Sequence, residues 1–209
     1  MPTNSGFDPR VVRGAYDSIA AEYAATFGDD LDRLEVDRRL LNALADDTAG
    51  RGPVLDIGCG PAQVSRYLAS RDVEPTGVDF APAMLHTARE AAPGLTVVAA
   101  DLRALPVRTG SVAGAVAFYV LQHLPRSELG AALREVRRAL TPGGPLLVAV
   151  HAGQGESHPA PDITVSRYTA EECSSHLVAA SFRVESVHGR DPLPHERPTD
   201  RLYVLARAE

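Results

Sequence analysis

The sequence predicts an α/β fold built on a doubly wound, mostly parallel β-sheet. Three short apolar runs, at 54–57, 76–79 and 97–101, each contain or lead to an aspartate, and helical patterns separate them. Strands that alternate with helices pair in parallel through right-handed crossovers, which brings their carboxyl ends to one edge of the sheet. Open α/β sheets bind their ligands at that edge.

The first run continues into a turn, Val54 to Ala62, with glycine at 58 and 60. Glycine allows positive φ and lets a ligand approach the backbone closely. A dinucleotide fingerprint would place a third glycine at Gln63, and Pro61 removes an N–H from the place where a pyrophosphate would bind. The turn therefore suits a nucleoside without phosphates, although a Gly-x-Gly pair is also typical of an ordinary tight turn.

Carboxylates at the next two strand ends extend this prediction. Asp79 follows Gly58 by 21 residues, and a carboxylate there can accept hydrogen bonds from both hydroxyls of a ribose. Asp101 can accept from the amino group of an adenine, while Leu102 packs on the ring. We expect Asp56, Asp79 and Asp101 to form one site.

Residues 54–150 resemble a class I S-adenosylmethionine-dependent methyltransferase of the small-molecule type. The matching segments, in order, are Asp56-Ile57-Gly58-Cys59-Gly60, Gly77-Val78-Asp79-Phe80 with Met84-Leu85, Ala100-Asp101-Leu102, Phe118 to Leu124, and Leu140-Thr141-Pro142-Gly143-Gly144. Ala62 departs from the family, which usually has a third glycine there. The resemblance implies a Rossmann-like, seven-stranded sheet with an antiparallel final strand, N-terminal lid helices, and S-adenosyl-L-methionine as the cofactor.

The residues and the resemblance together predict two groups of site residues. The expected cofactor-binding residues are Asp56, Gly58, Cys59, Gly60, Asp79, Phe80, Met84, Asp101, Leu102, Phe118 and Tyr23. The expected acceptor-pocket residues are Tyr16, Tyr119, His123 and His158. No metal site is expected.

Two helices are predicted before the first strand. Asp8 is a suitable N-cap with Pro9 at the first helical position, and apolar residues recur at helical spacing from Val12 to Tyr23. A second helix is expected at about 31–45. In the family, a segment resembling 15–23 lies over the bound cofactor, so Tyr16 and Tyr23 are interpreted as lid residues; the alternative is that both are ordinary half-buried helix residues.

The remaining elements follow in order along the chain. Helices are expected at 61–68 and 83–91, at 127–140 with Ser127 as the cap, and up to about Ala180 with Thr169 as the cap. Strands are expected at 115–118, 145–150, 182–187 and 201–206. Residues 152–162 and 191–200 read as loops.

The acceptor side contains three candidate histidines. His151 follows the fifth strand and is the leading candidate for a general base, His158 in the following loop is the second, and His123 is expected to cap or brace its loop. A strand-end histidine that only hydrogen-bonds the loop is the alternative for His151. Methyltransferases of DNA amines usually carry Asn/Asp-Pro-Pro-Tyr/Phe here, whereas residues 117–120 read Ala-Phe-Tyr-Val.

Composition indicates an ordinary globular enzyme. The chain has 209 residues, 44% of them hydrophobic, with a net charge of −6. No apolar run reaches the roughly 18 residues of a membrane span, no basic leader is present, and two cysteines give no disulfide framework or metal cluster. We expect a cytoplasmic protein without membrane or nucleic-acid partners, since the arginines are interleaved with acids. The lack of lysine suggests a GC-rich bacterial genome.

The expected organisation is a single domain over 1–209, with lid helices at 8–48, a cofactor-binding core at 52–151 and an acceptor side at 152–209. The expected function is methyl transfer to a small-molecule acceptor by in-line displacement. Two alternatives stay open: a protein that binds S-adenosylmethionine or S-adenosylhomocysteine without transferring the methyl group, and a nicotinamide-dependent Rossmann enzyme. The sequence does not specify the acceptor atom or the oligomeric state.

Overall fold

The computed structural model describes residues 8–209, and all structural statements below refer to that part of the chain. The strands are β1 (Val54–Ile57), β2 (Pro75–Asp79), β3 (Thr96–Ala99), β4 (Gly114–Phe118), β5 (Pro145–His151), β6 (Glu156–Ala160), β7 (Ile163–Ser166), β8 (Phe182–Arg190) and β9 (Arg201–Ala208). The α-helices are α1 (Pro9–Phe27), α2 (Glu35–Thr48), α3 (Gln63–Ala69), α4 (Pro82–Ala91), α5 (Arg126–Ala139) and α6 (Ala170–Ala179).

Seven strands form one sheet in the order β3-β2-β1-β4-β5-β9-β8. The first five pair in parallel, whereas β9 runs antiparallel to both β5 and β8. The predicted fold class, a doubly wound sheet with an antiparallel final strand and N-terminal helices, is confirmed.

Helices cover both faces of the sheet, and the strands alternate between two cores. Val54, Val116 and Leu147 belong to one core, which also contains apolar residues of α2 and α3. Leu55 and Leu146 belong to the other, which α5 and α6 complete. Strand side chains point to opposite faces at successive positions, so each strand position has a defined face.

The N-terminal helix begins as predicted. The Asp8 side chain caps α1 by accepting from the backbone N–H of Arg10 at 2.8 Å, and Pro9 is the first helical residue. Asp17 then joins α1 to α4, because its Oδ1 accepts from the backbone N–H of Ala83 at 2.9 Å. This bond occupies one of the free donors at the start of α4.

Several element boundaries differ from the predictions. The helix expected at 31–45 is a 3₁₀ turn, Asp30–Arg33, followed by α2. The first crossover helix starts at Gln63 because Ala62 takes a left-handed conformation with φ of 64°. Ser127 lies inside α5 and does not cap it: the helix follows Pro125, whose extended backbone (ψ of 140°) ends the preceding segment.

The segment expected to be a loop at 152–162 contains strand β6, and strand β7 follows directly after it. Strands β6 and β7 form an antiparallel hairpin outside the main sheet. Ile163 and Val165 on β7 are buried on either side of the half-buried Thr164, and Ser166 at the end of the strand is buried as well. The hairpin lies against the short 3₁₀ turn Leu121–His123, at the carboxyl edge of the sheet.

Within residues 8–209, the helices are all too short or too polar to cross a lipid bilayer.

A buried polar network joins α2 to the last two strands. The Tyr203 hydroxyl donates to Oδ2 of Asp37 at 2.9 Å and accepts from Nε of Arg190 at 3.0 Å. Arg190 in turn forms a bidentate pair with Glu196, with N–O distances of 2.5 and 2.8 Å. Tyr203 and Asp37 are both fully buried, so loss of the hydroxyl leaves buried groups without a partner.

We therefore expect Tyr203→Phe to lower the free energy of unfolding by about 1–3 kcal/mol, measured by guanidinium denaturation. Tyr67→Phe is the matched control, because the Tyr67 hydroxyl donates to Asn42 at 2.9 Å in a half-exposed position where water can replace it. A Tyr203→Phe loss no larger than that of Tyr67→Phe would contradict the role of this network.

Candidate functional site

A cavity opens at the carboxyl edge of the parallel strands, beneath α1. The turns after β1, β2, β3 and β4 form its floor, and α1 forms its roof. The residues that line it are Pro9, Val12, Tyr16, Tyr23, Gly58, Gly60, Gln63, Val78, Asp79, Phe80, Met84, Ala100, Asp101, Leu102, Arg103, Tyr119, Val120, His123 and Leu124.

The two glycines of the first turn have different physical roles. Both have positive φ, 70° at Gly58 and 51° at Gly60. A Cβ at Gly58 would lie 2.4 Å from the Val120 side chain, so glycine is required there by packing inside the protein. A Cβ at Gly60 would meet no heavy atom of the described residues within 4 Å and would project into open space. Gly60 therefore leaves room for a ligand beside the backbone.

Asp79 is held at the centre of the cavity floor. Its Oδ2 accepts from the backbone N–H of Gly60 and its Oδ1 from the backbone N–H of Ala81, both at 2.9 Å. Burial raises its pKa, and these backbone bonds act in the opposite direction. Each carboxylate oxygen keeps a further acceptor position, so Asp79 can accept from two neighbouring hydroxyls.

Asp101 lines the cavity as a member of an ion pair. Nη2 of Arg103 lies 2.6 Å from its Oδ2, and Nε of Arg103 lies 3.0 Å from its Oδ1. Arg103 also pairs with Glu128 at 2.6 Å. The Arg103 guanidinium holds the pKa of Asp101 below its usual range, so this carboxylate is ionised and oriented as an acceptor.

Two of the residues expected to bind the cofactor lie outside the cavity lining. Asp56 is buried, and its Oδ2 accepts from the Ser65 hydroxyl of α3 at 2.7 Å. The Cys59 side chain packs over Gly77, where an added Cβ would lie 2.9 Å from Sγ. Of the three aspartates that were expected to share one site, Asp79 and Asp101 line the cavity and Asp56 does not.

A chain of hydrogen bonds also lines the cavity. The Tyr16 hydroxyl of α1 lies 2.9 Å from Nε2 of His123, and Nδ1 of His123 lies 3.1 Å from the backbone carbonyl oxygen of Thr164 in β7. Burial lowers the pKa of His123 to about 4 and raises that of Tyr16 well above its usual value. Both side chains are therefore neutral at physiological pH.

Tyr23 of α1 and Tyr119, which follows β4, lie in the same lining. Tyr23 packs edge-on against Tyr16, with ring centroids 6.3 Å apart, and burial raises the pKa of Tyr23 to about 12. Tyr119 has a φ of 56°, which is a strained conformation for a side chain of its size. Its hydroxyl lies 3.2 Å from that of Tyr203, which connects the cavity to the buried network.

Three further predicted residues do not line the cavity. Phe118 packs against Tyr203 and Tyr119. His151 contacts the Tyr119 ring, with centroids 5.5 Å apart, and burial together with Arg201 lowers its pKa to about 4. His158 is exposed on β6, where its Nδ1 lies 3.2 Å from the Thr164 hydroxyl. Phe118 and His151 share strand faces with Val116 and Ala149, which turn toward the core that contains α2.

Some lining residues were missing from the sequence-based prediction. Arg103 and Gln63 are polar, and Val120 and Leu124 are apolar walls beside the predicted Tyr119 and His123. Oε1 of Gln63 is buried and has no hydrogen-bond partner among the described residues. The spacing of Gln63 from the glycine turn was the available signal, since the first turn of the helix after such a loop faces the ligand.

Comparison with known proteins gives one family. Residues 54–144 match the family model described as a methyltransferase domain. The malonyl-acyl-carrier-protein O-methyltransferase of Pseudescherichia vulneris is 32% identical over 134 residues, which cover 61% of this chain and 53% of that protein. The chain spans about half the length of the curated relatives of this kind that it matches.

Two solved structures share the fold at low sequence identity. The 1,6-didemethyltoxoflavin-N1-methyltransferase of Burkholderia thailandensis, a complex with 1,6-didemethyltoxoflavin and S-adenosylhomocysteine, has a TM-score of 0.75 at 21% identity, with coverage of 95% of this chain and 88% of that one. The (4+2)-cyclase SpnF has a TM-score of 0.76 at 19% identity, with coverage of 94% of both chains.

The buried position of Asp56 makes a pH-dependent prediction. Burial raises the pKa of Asp56 to about 6, so the folded state keeps this proton to a higher pH than the unfolded chain. Stability is therefore lost as the pH rises from about 4 to about 6. Asn cannot ionise, and its amide oxygen can still accept from Ser65. We expect Asp56→Asn to gain about 2 kcal/mol over the wild type between pH 4 and pH 7, measured by urea denaturation.

The exposed Asp46 of α2 supplies the control, because Asp46→Asn should follow the wild type across this range. Parallel pH curves for wild type and Asp56→Asn would show that Asp56 is not buried as its carboxylic acid.

Proposed function

The chain belongs to the class I S-adenosylmethionine-dependent methyltransferases, and from that premise we propose that it transfers a methyl group to a small-molecule acceptor bound beside Tyr16 and His123. The observation that carries the proposal is one continuous cavity with two kinds of lining group. Two carboxylates and an open glycine turn line it, and so do the neutral side chains of Tyr16, Tyr23 and His123.

The residues around Asp79 and the glycine turn fit S-adenosylmethionine. Asp79 has acceptor capacity for the two ribose hydroxyls, and Phe80, Met84 and Leu102 supply apolar surface for a purine. Gly60 leaves space where a Cβ would otherwise project. The unpartnered Oε1 of Gln63 suits an ammonium group of the amino-acid portion.

This site acts mainly by orientation and by exclusion of water. S-adenosylmethionine supplies a methyl group on a positively charged sulfur. Asp79 and Gly60 hold the nucleoside end, and the Tyr16 and Tyr23 rings cover the cavity from α1. Alignment of two reactants in this way can account for roughly 7–11 kcal/mol of a reaction barrier.

Two observations bear on other functions. The structural similarity to a (4+2)-cyclase illustrates that this fold also occurs in a protein named for a different activity. A nicotinamide-dependent reaction is disfavoured because Pro61 and Gln63 occupy the positions where a dinucleotide turn needs a donor and a third glycine. Calorimetry with S-adenosylhomocysteine and NADH tests the second point, since a tighter NADH complex would reject the methyl-transfer proposal.

We expect Asp79→Asn to weaken S-adenosylhomocysteine binding about 10- to 100-fold, because it removes the charge from the ribose acceptor and turns an amide N–H₂ toward a backbone donor. Isothermal titration calorimetry measures the effect, and thermal denaturation checks that the variant is folded. Asp46→Asn on the exposed face of α2 is the matched control and should bind like the wild type. Equal affinity of Asp79→Asn and wild type would contradict the assigned ribose site.

A further inference from the structure

We propose that Tyr16 and His123 form a two-step proton relay that deprotonates the acceptor, and that the acceptor is therefore a neutral molecule with a hydroxyl group. This inference rests on the proposed methyl transfer and specifies its second substrate. It assigns the base to His123 in place of His151, which does not line the cavity.

The hairpin β6–β7 determines the tautomer of His123. A backbone carbonyl oxygen can only accept, so Nδ1 of His123 must carry the proton that is donated to Thr164 at 3.1 Å. In a neutral imidazole, Nε2 then has a free lone pair. The Tyr16 hydroxyl, 2.9 Å away, must therefore donate to Nε2.

Tyr16 is placed to pass a proton between the acceptor and His123. Its hydroxyl uses its own proton toward Nε2 and keeps two acceptor positions, while both residues line the cavity. The acceptor oxygen forms a bond to the methyl carbon, and the bond between that carbon and sulfur breaks with its electron pair remaining on sulfur. The acceptor proton passes to Oη of Tyr16, and the Tyr16 proton passes to Nε2 of His123.

The low basicity of His123 in the free protein agrees with this scheme when charge is counted over the whole step. Burial of a lone positive charge is unfavourable, which is why burial lowers the pKa of His123 to about 4. During transfer, His123 becomes positive as the donor sulfur becomes neutral. The cavity thus carries the same net charge before and after the step.

The charges of the cavity disfavour an anionic acceptor. Among the described residues that line it, Arg103 is the one cationic side chain, and Asp101 and Glu128 already pair with it at 2.6 Å. Arg197 acts on Tyr16 electrostatically, but it is exposed and outside the lining. A carboxylate acceptor would find no free cation there, whereas a hydroxyl finds Tyr16.

Kinetics with defined probes test the relay. Release of S-adenosylhomocysteine is measured with the hydroxyl probes catechol, 4-nitrophenol and benzyl alcohol and with the carboxylate probes benzoate and octanoate. We expect methylation of a hydroxyl probe, and a kcat lowered about 100-fold in His123→Gln and lowered in the same direction in Tyr16→Phe. The affinity for S-adenosylhomocysteine should change less than about twofold. His86→Gln, on the exposed face of α4, is the matched control.

The pH profile separates a base from a structural residue. Titratable groups that act on the relay are Tyr23, Asp79 and Arg197 at Tyr16, and His151 beside His123. We expect kcat/KM of the wild type to fall below an apparent pKa of about 4 and this limb to disappear in His123→Gln. An unchanged kcat and profile in His123→Gln would overturn the base role.

A readout that needs no turnover completes the test. Nitrogen-15 NMR of the histidine rings should show His123 protonated at Nδ1 and unprotonated at Nε2 from pH 5 to 9. The chemical shift of Nε2 should change in Tyr16→Phe. A proton on Nε2 would overturn the relay. Faster methylation of benzoate than of every hydroxyl probe, or no methylation of any hydroxyl probe, would overturn the acceptor class. Failure of the wild type to bind S-adenosylhomocysteine would instead reject the proposed function itself.

Discussion

The two hydrogen bonds between Asp79 and the backbone N–H groups of Gly60 and Ala81 organise the whole site. They join the turn after β1 to the residue that precedes α4, so the glycine turn keeps its positive φ and α4 starts at a defined place. Asp17 then binds the first turn of α4 and fixes α1 above the cavity. Because α1 carries Tyr16, the position of the Tyr16 hydroxyl beside His123 also depends on the Asp79 hydrogen bonds that set the start of α4.

The period of two along each strand explains which site residues the sequence can predict. Asp56 lies beside Val116 in the parallel register, and both face the core that contains α2 and α3. Phe118 and His151 follow the same alternation, two residues after Val116 and Ala149. The motif resemblance predicted Phe118 as a site residue, and the positions of Asp56 and His151 near strand ends predicted those two, whereas the alternation of side chains along the strands turns all three toward this core. Asp79 and Asp101 were predictable because each stands where its strand ends.

The remainder of the site depends on contacts that are distant in sequence. Tyr16 and His123 are 107 residues apart, and the carbonyl oxygen that orients His123 belongs to a hairpin whose first strand lies in the segment that was expected to be a loop. Arg103 reaches Asp101 two residues away but also Glu128 on α5. Such pairs follow from the packing of helices and hairpins on the sheet, for which the local pattern contains no signal.

The distribution of charge along the cavity links these features. Two carboxylates line the cavity: Asp79 accepts hydrogen bonds from backbone donors, and Asp101 is paired with Arg103. Tyr16 and His123 in the same lining are neutral, because burial keeps Tyr16 protonated and His123 unprotonated. A cationic ligand in such a cavity is attracted to the carboxylates, and the one cationic side chain in the described lining, Arg103, is already paired with Asp101 and Glu128. The hairpin β6–β7 contributes the Thr164 carbonyl oxygen to this arrangement, and that oxygen decides which imidazole nitrogen of His123 faces Tyr16. Changes in the hairpin can therefore alter the tautomer of His123 while Asp79 and its backbone donors stay the same.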